Sequence, residues 1–261
     1  MKGIKICIFT LIILLVSSCS SDDDTPADRV SITFNFNHLW EDTPIVSSDF
    51  GNTTFTNANG TNMIMNDVRY VISDINLIHE SGETISLTEY VLVDVDEEIG
   101  LSFTTSKTIL PGNYTDVTFR FGFKEEDNVD GAYPDLNSAN FNVGPDLGGG
   151  YHYMQMNGTY IDNNNTSSAY NYHVIAAIDT SVPVSDRVRE DTSILFSVGS
   201  VSVESNTNIN LSVDLAGWFK NPNIWDLNVW DTMLMGNYEA QQDMYENGQM
   251  VVFGLIDITQ E

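Results

Sequence analysis

Apolar and polar positions alternate with a period of two through most of the chain. In Val30-Ser31-Ile32-Thr33-Phe34-Asn35-Phe36-Asn37-His38 this sets Phe34, Phe36 and His38 on one side and Asn35 and Asn37 on the other, the pattern of a half-buried strand. Further strands are predicted at 67–79, 90–95, 114–121, 151–161, 170–178, 192–203, 207–215 and 250–258. Turn-forming clusters separate them, among them Asn57-Ala58-Asn59-Gly60, Pro111-Gly112 and Asn163-Asn164-Asn165. Only 237–247, stopped by Gly248, has helical character, with a short turn at 216–220. The pattern predicts an all-β protein, an antiparallel β-sandwich with one short C-terminal helix. No linker or internal repeat interrupts residues 30–261, which read as one domain.

The amino terminus is different. Lys2 and Lys5 precede an apolar run from Ile6 to Val16 and then small residues, so residues 1–18 read as a secretory signal peptide. The run is too short to span a bilayer as a helix, which takes about 20 residues. Val16-Ser17-Ser18-Cys19 resembles the bacterial lipobox, which predicts cleavage before Cys19 and its lipidation. Residues 19–29 then form a polar, acidic tether. Its Ser20-Ser21-Asp22-Asp23-Asp24 stretch resembles the signal that carries some Gram-negative lipoproteins to the outside of the outer membrane, although a plain solvated linker has the same composition. Lipid anchoring in the outer membrane, facing the exterior, is the expected location. Cys7 leaves with the signal, so the mature chain has no second cysteine for an internal disulfide.

Charge narrows the function. The 261 residues carry 37 Asp and Glu against 10 Lys and Arg, a net charge of −27. Removing Lys2 and Lys5 with the signal leaves 8 − 37 = −29. Nucleic-acid binding depends on cations neutralising phosphate, so it is excluded as a function. A hydrophobic content of 42% with 11% aromatics separates the chain from acidic disordered tails.

Candidate chemistry centres on histidine and methionine. His38 and His173 stand at the inward phase of predicted strands, and imidazoles from neighbouring strands bind copper or zinc through a neutral ring nitrogen. The alternative is histidine hydrogen-bonded in the core or at its rim. His152, Met154 and Met156 alternate, which predicts three side chains on one face; imidazole with thioether suits Cu(I). Methionine is also an ordinary core filler. The loop Glu125-Glu126-Asp127-Asn128-Val129-Asp130-Gly131 concentrates oxygen ligands but lacks the spacing of a calcium-binding EF-hand, and reads as a solvated acidic loop. Asp94 and Asp96 share a strand face without a third group to work with. Trp218, Phe219, Trp225 and Trp230 suit either a glycan- or protein-binding platform or core packing. The chain has no Gly-x-Ser-x-Gly, His-Glu-x-x-His or Cys-x-x-Cys-His motif, and binding rather than catalysis is expected.

Several segments together resemble the MbnP-like family. They include Phe34-Asn35-Phe36-Asn37-His38, Asn66-Asp67-Val68-Arg69-Tyr70-Val71-Ile72-Ser73-Asp74-Ile75-Asn76-Leu77, Pro111-Gly112-Asn113-Tyr114, Phe119-Arg120-Phe121-Gly122, Gly150-Tyr151-His152-Tyr153, Tyr172-His173-Val174-Ile175 and Trp218-Phe219-Lys220-Asn221-Pro222. The resemblance implies a sandwich and, in some members, copper held by histidines beside an oxidised tryptophan, together with a di-haem partner protein. This chain departs from the pattern. Val143-Gly144-Pro145-Asp146-Leu147-Gly148-Gly149 has no tryptophan ahead of the Gly-Tyr strand, and Glu125-Glu126-Asp127-Asn128-Val129 replaces an Asn-His pair. The family's cysteines are missing as well. The expectation is thus a binding module with copper as its ligand at His38, His173, His152, Met154 and Met156, against a metal-independent interaction module.

Overall fold

The computed structural model describes residues 28–250 and 252–261. The signal peptide, Cys19 and most of the predicted tether lie outside the described residues. Fourteen strands follow in chain order: β1 (Ile32–Trp40), β2 (Thr43–Pro44), β3 (Phe55–Thr56), β4 (Asn62–His79), β5 (Thr84–Asp94), β6 (Ser102–Thr104) and β7 (Gly112–Phe121), then β8 (Met154–Ile161), β9 (Ser167–Val174), β10 (Ala177–Ile178), β11 (Arg189–Glu190), β12 (Ile194–Val203), β13 (Thr207–Asp214) and β14 (Phe253–Gln260). Two α-helices accompany them, α1 (Pro134–Ser138) and α2 (Tyr238–Gly248). The sequence pattern predicts α2 to within a residue. It is silent on α1, whose five residues are too few to display a helical period.

Two sheets make the sandwich. The seven-stranded sheet runs β12-β7-β4-β8-β9, with β3 and β5 also pairing with β4; the five-stranded sheet runs β14-β13-β1-β2, with β6 on β1. Pairing is antiparallel except between β1 and β13, which run parallel with Phe34 opposite Ile209 and His38 opposite Val213. The antiparallel sandwich expected from the sequence thus holds with one parallel ladder in it, which alternation along a strand could not reveal because it carries no information about a partner's direction. β4 organises the larger sheet: Met63–Tyr70 pair with β8, and Ile72–His79 pair with β7. Within the second stretch the strand bulges at Asp74, whose φ of 51° is left-handed, and Asn76 Nδ2 donates to the Asp74 carbonyl at 2.9 Å.

The space between the sheets is filled by aromatic rings. Phe36 of β1 lies edge-on to Tyr70 and Phe119, at 6.3 and 6.2 Å between centroids. Phe253 of β14 meets Phe119, Phe121 and Phe196. Trp218 closes the end of this core against Phe121 at 4.9 Å and is 1% exposed. Phe219 and Trp225 are equally buried, which leaves half-buried Trp230 alone among the four tail aromatics near the surface. Those rings pack the core and do not form an exposed platform.

Candidate metal site on the outer face of the seven-stranded sheet

Strand alternation divides the central strands into two chemically distinct faces. Across β4, β8 and β9 the register aligns Val68 with Met156 and Tyr172, and Tyr70 with Met154 and Val174; these residues are buried and point into the sandwich. The intervening positions align Asp67 with Asn157 and Asn171, and Arg69 with Gln155 and His173. Because successive side chains project to opposite faces, these six form two polar rows on the outer face. Two segments cover them. One runs through α1 to Gly150 and lays Phe141 on the Arg69 guanidinium, 5.7 Å from the ring centroid. The other, 231–237, is tied to β9 by Asn171 N donating to the Asp231 carbonyl at 2.7 Å.

His152 reaches the outer face through a turn. Gly148, Gly149 and Gly150 are all left-handed, with φ of 88°, 68° and 77°, and a Cβ on Gly150 would stand 2.4 Å from Asn128 Oδ1. Glycine is therefore required there. The ladder of β8 begins only at Met154, and His152 N instead donates to the Phe141 carbonyl at 2.9 Å. The predicted alternation from His152 to Met154 is thus broken at Tyr153. His152 turns outward, while Met154 and Met156 point inward and have no exposed surface. The three do not share a face, and the methionines are core residues.

The ring of His152 instead meets that of His173, perpendicular to it with centroids 5.2 Å apart. With metal–nitrogen bonds of about 2 Å, two imidazoles that share one ion place their centroids about 5 Å apart. Hydrogen bonds fix both tautomers. His152 Nδ1 lies 2.9 Å from the Phe141 carbonyl, which can only accept, so Nδ1 carries the hydrogen and Nε2 keeps its lone pair. Met235 Sδ lies 3.1 Å from that Nε2. Thioether sulfur has no hydrogen to give, so two electron-pair donors face each other.

His173 is set by a longer chain. Asn157 Nδ2 donates to Asp67 Oδ1 at 2.7 Å, and Asn171 Nδ2 donates to Asn157 Oδ1 at 2.6 Å. The carboxylate determines which way the Asn157 amide points, and its oxygen therefore accepts from His173 Nε2 at 2.9 Å. Nδ1 of His173 is left as a lone pair. Both rings are held neutral: burial, then His152 and Arg69, push His173 down to about 4. Burial and Arg69 also lower His152, against the opposing effect of its bond to Phe141. Gln241 of α2 links the parts, donating from Nε2 to the His173 and Leu234 carbonyls at 2.8 and 3.1 Å and accepting from Ile175 N. Met235 is thereby placed beside the histidines and packs on Val143, Ile175 and Ile178.

His38 is elsewhere. Its ring lies between the sheets, 5% exposed, with Nε2 2.9 Å from Tyr70 Oη. Tyr70 and Arg69 are neighbours on β4 with opposite orientations, so the sheet separates His38 from His173. The expected convergence of His38 with the other histidines does not occur. Among the described residues no group of three or more His, Cys, Asp or Glu could hold a metal ion. The acids of the 125–130 loop are partly engaged, Glu125 with Arg189 at 2.6 Å and Glu126 and Asp127 with Lys124. Sequence reasoning finds His152 and His173 but misses Met235. The readable signal was Met233-Leu234-Met235, together with polar residues at the outer phase of β8 and β9.

A family model for MbnP matches residues 29–235, a span that contains both histidines and ends on Met235. The chain belongs to the MbnP family. Among solved structures it is similar to MbnP from Methylosinus trichosporium, with a TM-score of 0.51 and 12% identity over 74% of this chain and 78% of that one. At that identity the likeness concerns the fold. No curated protein matches the sequence. The family's architecture thus supports the sandwich, while the ligand set on its outer face is read from this chain's own residues.

Proposed function

We propose that this MbnP-family protein binds one copper ion, as Cu(I), at His152 Nε2, His173 Nδ1 and Met235 Sδ. The observation that carries the reading is the pair of opposed lone pairs on His152 and Met235, with a second neutral imidazole, His173, whose ring centroid is 5.2 Å from that of His152. Two imidazoles and a thioether suit a soft monovalent ion; they do not suit calcium or magnesium, which take oxygen ligands. Neutral imidazoles at physiological pH spare the ion competition with protons. The protein acts by holding the ion and is a binding module rather than an enzyme. The lipobox-like Val16-Ser17-Ser18-Cys19 and the acidic residues after it support attachment to the outer membrane through lipid on Cys19, facing outward.

Anaerobic titration of the purified domain with Cu(I), in competition with a chromogenic chelator, tests the site. One tightly bound ion per chain is expected, with weaker binding in Met235→Ala and unchanged binding in Met154→Leu. A domain that leaves all copper with the chelator, or that binds equally well without Met235, would refute it. Cys19→Ser is expected to move the protein from the membrane to the soluble fraction.

A further inference from the structure

Eight Lys and Arg lie among the described residues, and four of them, Arg29, Arg69, Lys107 and Arg187, form no ion pair; of these four, Arg69 is the one in a register row with His173. Arg120, Lys124, Arg189 and Lys220 all form ion pairs with carboxylates. Arg69 forms none among the described residues, although Asp94 stands opposite it on β5. The Asp94 carboxylate instead accepts from Glu97 N at 3.2 Å. The half-buried guanidinium of Arg69 turns away from Asp94, toward β8. There Nη2 donates to Gln155 Oε1 and Nη1 donates to the Ala139 carbonyl at 3.2 Å, with Phe141 lying against it. In a chain with 37 acidic and 10 basic residues, a cation held only by neutral partners has kept its full charge directed at its surroundings. Those surroundings include both imidazoles, together with the Asp67 and Asp94 carboxylates, on which the same charge acts in the opposite sense. Arg69, Gln155 and His173 occupy one register row on adjacent strands, which puts the Cα atoms of Arg69 and His173 about 10 Å apart. Phe141, which lies against the guanidinium, also packs edge-on to the His152 ring, with centroids 5.7 Å apart, so the charge stands close to both histidines.

We infer that Arg69 sets the valence preference of the site, disfavouring a divalent ion relative to a monovalent one, so that the protein retains Cu(I) and discriminates against Cu(II). The inference rests on the reading of His152, His173 and Met235 as a copper site and adds a residue that touches no ligand. A change from Cu(I) to Cu(II) adds one positive charge at the site. Repulsion by a second unit charge about 10 Å away in a partly buried environment changes that equilibrium by about tenfold. Arg69 acts in the same direction as the thioether, which itself prefers the monovalent ion.

Two substitutions remove the charge in different ways. Arg69→Gln deletes it, and Gln155→Glu neutralises it in place by supplying a carboxylate where the amide now accepts. Arg69→Lys retains it. For each protein Cu(I) and Cu(II) affinities are measured separately by chelator competition, and the copper midpoint potential by redox titration, with circular dichroism and thermal melting to establish folding. Arg69→Gln and Gln155→Glu are each expected to lower the ratio of Cu(I) to Cu(II) affinity about tenfold, equivalent to a potential about 59 mV lower for a one-electron couple. Arg69→Lys should stay near the parent. If one charge-removing variant does not fold, the other decides. A ratio within twofold of the parent in a folded, copper-binding variant overturns the role of Arg69 and leaves the copper site standing. Absence of copper binding in the parent protein, in either oxidation state, overturns both.

Discussion

The inner and outer faces of β4, β8 and β9 come from the same strands and alternate residue by residue, yet they are finished differently. On the inner face some of the polar side chains are used in fixed pairs. His38 Nε2 meets Tyr70 Oη at 2.9 Å, and Tyr172 Oη donates to the Trp218 carbonyl at 2.9 Å. On the outer face the rows are hydrogen-bonded through Asp67, Asn157 and Asn171, but the bonds end by leaving lone pairs on His152 and His173 with Met235 beside them. Burial lowers the proton affinity of His38 and His173 alike, each to about 4. A depressed imidazole therefore does not identify a ligand here. What separates the two is what stands beside the ring: Tyr70 for His38, and a second imidazole, His152, with Met235 against it, for His173.

The comparison makes the faces separable by mutation. The largest effect belongs to the inner face: Trp218→Ala, at a ring with 1% exposure, is expected to cost about 3–5 kcal/mol in chemical denaturation. Next is the outer face. His152→Ala and His173→Ala should each weaken Cu(I) binding about 100-fold, roughly 2.7 kcal/mol, while moving apo-protein stability by much less than Trp218→Ala. A loss of stability as large as that of Trp218→Ala would mean that the outer histidines are structural. Smaller again is Asn157→Ala, which frees the His173 ring to rotate and change tautomer. Affinity for Cu(I) is expected to fall about tenfold, in line with loss of a partner that orients a ligand. Unchanged affinity would show that the Asp67–Asn157 chain does not orient the ring.

The inner face was largely legible in the sequence because its signal is local and redundant. Phe34, Phe36 and His38 alternate with asparagines, and Tyr70 and Ile72 repeat the pattern, so each strand declares its buried side. The outer site was legible only in pieces. The sequence places His152 in phase with Met154 because nothing local says that three left-handed glycines end in an irregular turn before the strand begins. Met235 lies 83 residues from its histidine contact and arrives there through Gln241 of a different element, a relation no spacing encodes. The parallel pairing of β1 and β13 was hidden for the same reason, since it is made between segments 175 residues apart.

The smallest predicted effect again distinguishes the faces, through pH. His38 is neutral inside, and its folded value of about 4 lies below the unfolded value of 6.5. Its contribution to stability is present above pH 6.5 and is lost as pH falls toward 4. Asp94, on the outer face opposite Arg69, behaves in the opposite sense: burial and then the nearby Asp96 raise it to about 6. The folded state holds that proton more tightly than the unfolded one, so the contribution is full below pH 3.8 and lost as pH rises through 6. Between pH 4 and 6 the two slopes oppose each other. Asp94→Asn removes only the second, and should raise the melting temperature at pH 7 but not at pH 3.5. Solvent screening of this half-exposed carboxylate keeps the gain below about 1 kcal/mol, or about 2 °C for a domain of this size. An equal shift at both pH values would mean that Asp94 acts through packing. A loss at pH 7 would mean that its charge is needed by Arg69.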